Sequence, residues 1–231
     1  MTLITVPGKE VADFRGRLPV RKGANGYPNR PLEGITMAVI HYSGVDADSS
    51  ATEIASYQTT KTSGDLFPEC AYSFVIRWDG RIEQCHNLEK RSWHAGGRNN
   101  DLGIGICLPG NGWPTSHQLD SAAALIRALN LTLNRGGEKP SLRIAGHKEL
   151  SATACPGPYW DIWKQHLVSA SPPIPVVLGF RQLYDYLGEE RCGAPLTPEQ
   201  YDAQGNSHQI FTRCEMRWDK AENRVWISFN P

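Results

Sequence analysis

Three short apolar runs constrain this chain most: ITMAVIHY at 35–42, LGIGICL at 102–108 and SLRIAGH at 141–147. Continuous apolar runs of this length, rich in β-branched residues and bounded by turn signals, are the pattern of buried strands. The glycines of LGIGICL permit close backbone approach. The third run ends on His147, and the first carries His41 one residue before its end. A side chain at the end of a buried strand is rigidly held yet faces a loop-lined cleft.

The intervening segments supply the covering layers. Ser50 with Glu53 makes a capping box that predicts a helix over 51–60. AYSFVIRW (71–78), Asp79-Gly80 and RIEQC predict a hairpin with a two-residue turn. Thr115 and Gln118 repeat the capping box, and Leu119, Ala122, Ile126, Leu129 and Leu133 follow at helical spacing until Gly136-Gly137 and Pro140. YWDIWKQHL (159–167) predicts a last helix. The order predicts an α/β protein with a mixed central β-sheet flanked by helices.

Around this block, 30–168, the texture changes. Residues 1–29 form a mostly irregular arm rich in Gly, Pro, Arg and Asn. SASPPIPVV (169–177) is a proline-stiffened linker. Residues 178–231 alternate strand-forming and polar residues and predict a small β-rich module. The 231 residues suit one medium domain and a smaller one. A formal net charge of zero gives no global attraction to nucleic acid or anionic membranes, and no apolar run reaches membrane-span length. The first residues lack a basic start, an apolar stretch and a small-residue cleavage site, so synthesis in the cytoplasm is expected. The six cysteines include no CxxC pair, which speaks against zinc-ribbon and thioredoxin chemistry. Cys192 and Cys214 could bridge the C-terminal module in an oxidising compartment.

AGHKELSATACPGP (145–158) carries His147 and Cys155 together. Two strand-end histidines and one loop cysteine can converge on a tetrahedral ion and leave its fourth position for water, the arrangement of a catalytic zinc. Imidazole and thiolate suit that borderline-soft metal. Alternatively, His41 is a hydrogen-bonded core histidine and Cys155 a small buried apolar residue. A cysteine hydrolase using Cys155 with His147 is a further alternative, although Pro156 and Gly157 provide no helix N-terminus to lower the thiol pKa.

The motifs HYS (41–43), AYSF (71–74), WHAG (93–96), GIGICL (103–108), GHKE (146–149) and ACPG (154–157) occur in that order. Together they resemble the zinc amidases of the phage-lysozyme and peptidoglycan recognition protein family, across about 30–168. The resemblance implies one zinc ion held by His41, His147 and Cys155, with bacterial peptidoglycan as partner. It implies an endolysin-like N-acetylmuramoyl-L-alanine amidase that cuts between muramic acid and the L-alanine of the stem peptide. It implies catalytic roles for Tyr72 and Thr153 as oxyanion stabilisers, and makes His94 a candidate substrate contact in the groove. Cys107 stands where some relatives carry a glutamate, so no carboxylate base is assigned in that strand. Glu149, near His147, could orient a ligand or a water. A non-catalytic recognition module is the alternative function. The expected protein is a monomer that acts on the wall after release. The tail weakly resembles LGFP-type repeats, which implies wall targeting, with Trp218, Trp226 and Tyr201 as stacking faces; an alternative is a stabilising extension.

Overall fold

The computed structural model describes residues 3–60, 67–135, 139–168, 178–192, 199–211 and 214–229. They belong to two compact units, 1–170 and 171–231. In the first, the three apolar runs are parallel neighbours: β2 (Met37–Tyr42) lies between β5 (Gly103–Leu108) and β6 (Arg143–Gly146). The hairpin strands β3 (Phe74–Ile76) and β4 (Ile82–Gln84) follow on the β5 side, and β1 (Val11–Asp13) pairs parallel to β4 at the edge. Strand order is β1-β4-β3-β5-β2-β6, with β3–β4 the antiparallel pair, so the sheet is mixed as expected.

Strand alternation decides which helix each side chain meets. Ala38, Ile40, Phe74, Ile76, Ile104 and Ile106 face α3 (Ser116–Thr132) and α4 (Trp160–Val168), where they pack with Leu125, Leu129 and Trp160. The opposite face carries Val75 and Cys107 against α1 (Ala51–Thr60), and Met37 and Val39 against Ala95 of the WHAG loop. Both faces of the central strands are covered, which is why the sequence runs are continuously apolar.

Both capping boxes form. Thr115 Oγ1 accepts from the Gln118 N–H at 3.1 Å, and Gln118 Oε1 accepts from the Thr115 N–H at 2.9 Å. At α1, the Ser50 N–H donates to Glu53 Oε2 at 2.7 Å and Ser50 Oγ accepts from the Glu53 N–H at 3.3 Å. α3 stops at Thr132, before the expected diglycine, and Asn134 takes the left-handed conformation with φ 50°; Gly136 and Gly137 lie outside the described residues.

The hairpin departs from the expected two-residue turn. The Arg77 N–H donates to Arg81 O, the Gly80 N–H donates to Arg77 O, and Gly80 has φ 87°. The loop therefore has three residues, Trp78 to Gly80, with glycine at the left-handed position that such loops require. The N-terminal arm is also more ordered than its composition predicts. Ile4 and Val6 enter the main core and β1 joins the sheet; just after the arm, the buried Arg30 guanidinium donates to backbone carbonyls. A short helix, α2 (Asn99–Leu102), leads into β5.

The second unit is β-rich but backed by helices. α5 (Leu178–Leu187) and α6 (Glu189–Cys192) precede an antiparallel sheet of β7 (Gln200–Tyr201), β8 (Ser207–Ile210), β9 (Cys214–Asp219) and β10 (Arg224–Phe229). Phe180, Cys192, Phe211, Cys214 and Met216 form its core, with Cys192 and Cys214 as free thiols. The linker 169–177 lies outside the described residues. Among those residues no helix is long and apolar enough to cross a membrane.

Candidate metal centre

β2 and β6 run parallel with Ile40 opposite Gly146. His41 and His147, each one residue further on, emerge side by side at the strands' carboxyl ends, where the crevice of an open α/β sheet lies. Their ring centroids are 4.7 Å apart. A Cβ at Gly146 would stand 2.7 Å from Trp160 Cε2 and 2.9 Å from Pro156 Cδ, so only glycine lets β6 pass this close beneath the loop. That loop returns Cys155 to the histidines, held by the Lys148 N–H donating to Cys155 O at 2.6 Å. One ligand atom each from His41, His147 and Cys155 lies within 4.8 Å of the others. Cys155 Sγ is 3.6 Å from His41 Nδ1 and accepts from the Tyr42 N–H at 3.4 Å.

The hydrogen bonds behind His41 fix its tautomer. His94 Nε2 lies 3.1 Å from the Gly103 carbonyl, which can only accept, so Nε2 carries the proton. His94 Nδ1 is then an acceptor, and His41 Nε2, 3.0 Å away, donates to it. The lone pair of His41 Nδ1 is left on the side of Cys155 and His147. The Gly103 carbonyl also accepts from Arg30 Nη1 at 2.5 Å, which places a buried cation at the far end of the chain of bonds.

His94 therefore lies behind the ligand rather than in the groove where substrate contact was expected. His94 is 5% exposed, and both ring nitrogens are committed. Two glycines of β5 make the room: a Cβ at Gly105 would come within 2.7 Å of His94 Cγ, and one at Gly103 within 3.0 Å of His94 Cε1. The Ala95 N–H, donating to Asn100 Oδ1 at 2.8 Å, fixes the loop. Sequence reasoning missed the parts played by Arg30, Gly105 and Asn100. The alternate glycines of GIGIC, whose spacing puts both on one face of the strand, were the available signal.

Burial sets the protonation states. It pushes His41 well below the ordinary histidine range and lowers His147, while His94 is pushed down to about 3. All three imidazoles are neutral at physiological pH, the form that ligates a metal or passes a hydrogen bond to a ligand. Burial pushes the Cys155 thiol up to about 11, with the Tyr42 N–H pulling the other way. A thiol held there is a poor free nucleophile, which weighs against a cysteine-hydrolase mechanism. A divalent cation would displace its proton.

The other candidates surround this group. Tyr72 is half-buried with its ring centroid 5.0 Å from that of His41. Burial, then the neighbouring Cys107 and Cys155 thiols, push its phenol well above the usual value, so the hydroxyl stays a proton donor. Thr153 is exposed on the loop, and its Oγ1 accepts from the Cys155 N–H at 3.2 Å. Cys107 pairs with His41 in register and is fully buried, with its thiol pushed up by desolvation. Glu149 faces away: it accepts from the Gly146 N–H at 3.0 Å and pairs with Lys164 at 2.6 Å, which fixes the turn that carries His147.

Two neutral imidazoles and an ionisable sulfur, with one lone pair preset toward the shared centre, fit a metal ion of zinc's softness. Fold and site thus define an α/β protein with a His–His–Cys centre at the open edge of a mixed sheet. Residues 29–158 match the family model described as N-acetylmuramoyl-L-alanine amidase, and the chain belongs to that family. A peptidoglycan-recognition protein of Drosophila melanogaster is 34% identical over 108 residues, covering 42% of this chain and 57% of that protein. Another from the same species, peptidoglycan-recognition protein SC1a, is 33% identical over 104 residues, 43% of this chain and 52% of that one. The chain thus spans about half the length of the curated relatives it matches. Among solved structures, the endolysine N-acetylmuramoyl-L-alanine amidase LysCS from Clostridium intestinale URNW superposes with a TM-score of 0.54 at 23% identity, over 71% of this chain and 98% of that one. The Ph2119 endolysin from Thermus scotoductus MAT2119 bacteriophage gives a TM-score of 0.53 at 18% identity, over 68% and 99%. At these identities the likeness is one of fold.

Proposed function

We propose that this chain is a zinc-dependent N-acetylmuramoyl-L-alanine amidase. It would hydrolyse the amide between the lactyl group of N-acetylmuramic acid and the L-alanine of the stem peptide, acting as a monomer on the bacterial wall after release from the cell that makes it. The single observation that carries the reading is the gathering of His41, His147 and Cys155 with the His41 lone pair turned toward the other two. These three side chains would hold one zinc ion, which supplies Lewis acidity toward a carbonyl and makes water nucleophilic near neutral pH.

The chain's own groups do the rest. His94, anchored on Gly103, keeps His41 in its ligating tautomer. Tyr72 remains protonated and donates a hydrogen bond to the oxygen on which negative charge develops. The Thr153 hydroxyl accepts from the Cys155 N–H, and this turn leaves its own O–H for a second donation to the same oxygen. Family membership supports the reaction class.

The test is digestion of purified peptidoglycan. New L-alanine amino termini should appear, vanish with a chelator and return with zinc. Walls left intact by protein that carries stoichiometric zinc would refute hydrolysis and leave a recognition module.

A further inference from the structure

Among the described residues of the second unit, the sheet has one face packed on its helices and one face uncovered. Cys214, Met216, Val225 and Ile227 point into the core. The opposite parity puts Gln200, His208, Arg217 and Trp226 in one cross-strand row over all four strands: Trp226 pairs with Arg217, Arg217 with His208, and His208 with Gln200. Directly opposed residues in such a row stand within contact distance. Trp226, in this row, is 55% exposed.

The row borders a shallow cavity of about 300 Å³, lined by Asp202, Asn206, His208, Arg217, Asp219 and Trp226 among others. Its rim is rigid. Asp202 accepts from the N–H groups of Gln204 and Asn206, Asn206 Oδ1 accepts from the Lys220 N–H, and Asp219 accepts from the N–H groups of Ala221 and Glu222. Arg217 commits Nε and Nη2 to Glu215, at 2.9 and 3.2 Å, which fixes its fork and leaves further N–H donors. Arg224 braces the Trp226 indole, its Cζ 5.8 Å from the ring centroid.

We propose that this row is a glycan-binding site, in which a pyranose ring stacks on Trp226 and its hydroxyl and acetamido groups bond to Arg217 and His208. The mixture of groups selects that class. Asp202 and Asp219 against Arg217 leave no positive field for nucleic acid or another polyanion. The Trp226 indole and the partly buried Trp218 beside it are too little apolar area for a protein interface. A sugar ring has a C–H face for the indole and an edge of donors and acceptors for planar polar side chains. The choice of amino sugars rests on the peptidoglycan reading of the first unit; the stacking site itself does not.

The experiment uses the full chain. Calorimetric titration with N-acetylglucosamine oligomers and with glucose oligomers is combined with co-sedimentation on peptide-stripped wall glycan. The proposal expects binding to the amino-sugar oligomers and to the stripped glycan. Trp226→Ala should weaken it about tenfold or more, as loss of a central aromatic anchor does, and Trp226→Phe should recover most of the affinity. Arg217→Ala should weaken it with the unfolding temperature unchanged. Wild-type affinity in Trp226→Ala, or no binding to any of these glycans, overturns the site; equal affinity for glucose oligomers overturns the amino-sugar assignment. Cleavage of a soluble muropeptide by the wild type is assayed in parallel. Failure of amide hydrolysis in the wild type is thereby distinguished from failure of glycan binding.

Discussion

At the scale of the residue, the centre depends on a glycine that touches no ligand. Gly105 leaves the space in which His94 lies flat against β5, and His94 fixes the ring of His41. Gly105→Ala should cost about 1–3 kcal/mol by overcrowding and lower metal affinity by about 10–100-fold through the displaced supporting histidine. Competition with a chromogenic chelator measures the affinity, which a purely structural defect elsewhere in the core would leave intact. In a His94→Ala background the same alanine should cost little, because the clash is gone, and a double-mutant cycle reads that coupling. Tyr72→Phe removes one donor without a change of shape. Turnover should fall by about 10²–10³-fold while bound zinc, measured by elemental analysis, stays stoichiometric.

Much of this was legible residue by residue. His41 and His147 could be found because each lies at or next to the end of an apolar run, and Cys155 because proline and glycine surround it in a loop next to His147. His94 was visible as a histidine but not as a support. Its role depends on which way the WHAG loop folds, and that is set by the Asn100 side chain and two glycines in another element. Arg30 was illegible for the same reason: its partners are backbone carbonyls of residues 88–103, which leave no trace in side-chain identity.

At the scale of the element, the helices with local start signals were predictable and the elements stabilised from afar were not. α1 and α3 begin at capping boxes written into four consecutive residues. The Thr115 hydroxyl caps α3 and also donates to the Trp78 carbonyl at 2.7 Å, which ties the helix to the hairpin loop. Thr115→Ala should therefore destabilise the first unit by about 1–2 kcal/mol, measured by denaturant unfolding, and Thr115→Ser should restore most of it. β1 has three half-buried residues and no periodicity of its own; it is a strand only because β4 offers a free edge. The hairpin turn was mistaken by one residue because Asp-Gly serves both two-residue turns and three-residue loops with a left-handed glycine.

At the scale of the molecule, the two units have separate cores, so an ion bound by the first should stabilise that unit alone. Zinc at a hundred times its dissociation constant adds about 2.7 kcal/mol to the state that binds it. For a unit of this size, removal by a chelator should lower the first calorimetric transition by about 5–10 °C and leave the second where it is. Equal shifts of both transitions, or none, would contradict a resident metal in the first unit.

The arm, residues 1–29, supplies Ile4 and Val6 to the main core and an edge strand. At the other end, Trp160, Trp163 and Leu167 of α4 complete the same core beyond the last residue matched by the family. A fragment cut at the borders of similarity, 29–158, would keep every ligand and yet lose both ends of its hydrophobic seal. Expressed alone it should be insoluble or collapse to a loose state that binds a fluorescent hydrophobic dye, whereas 1–168 should give a sharp melting curve.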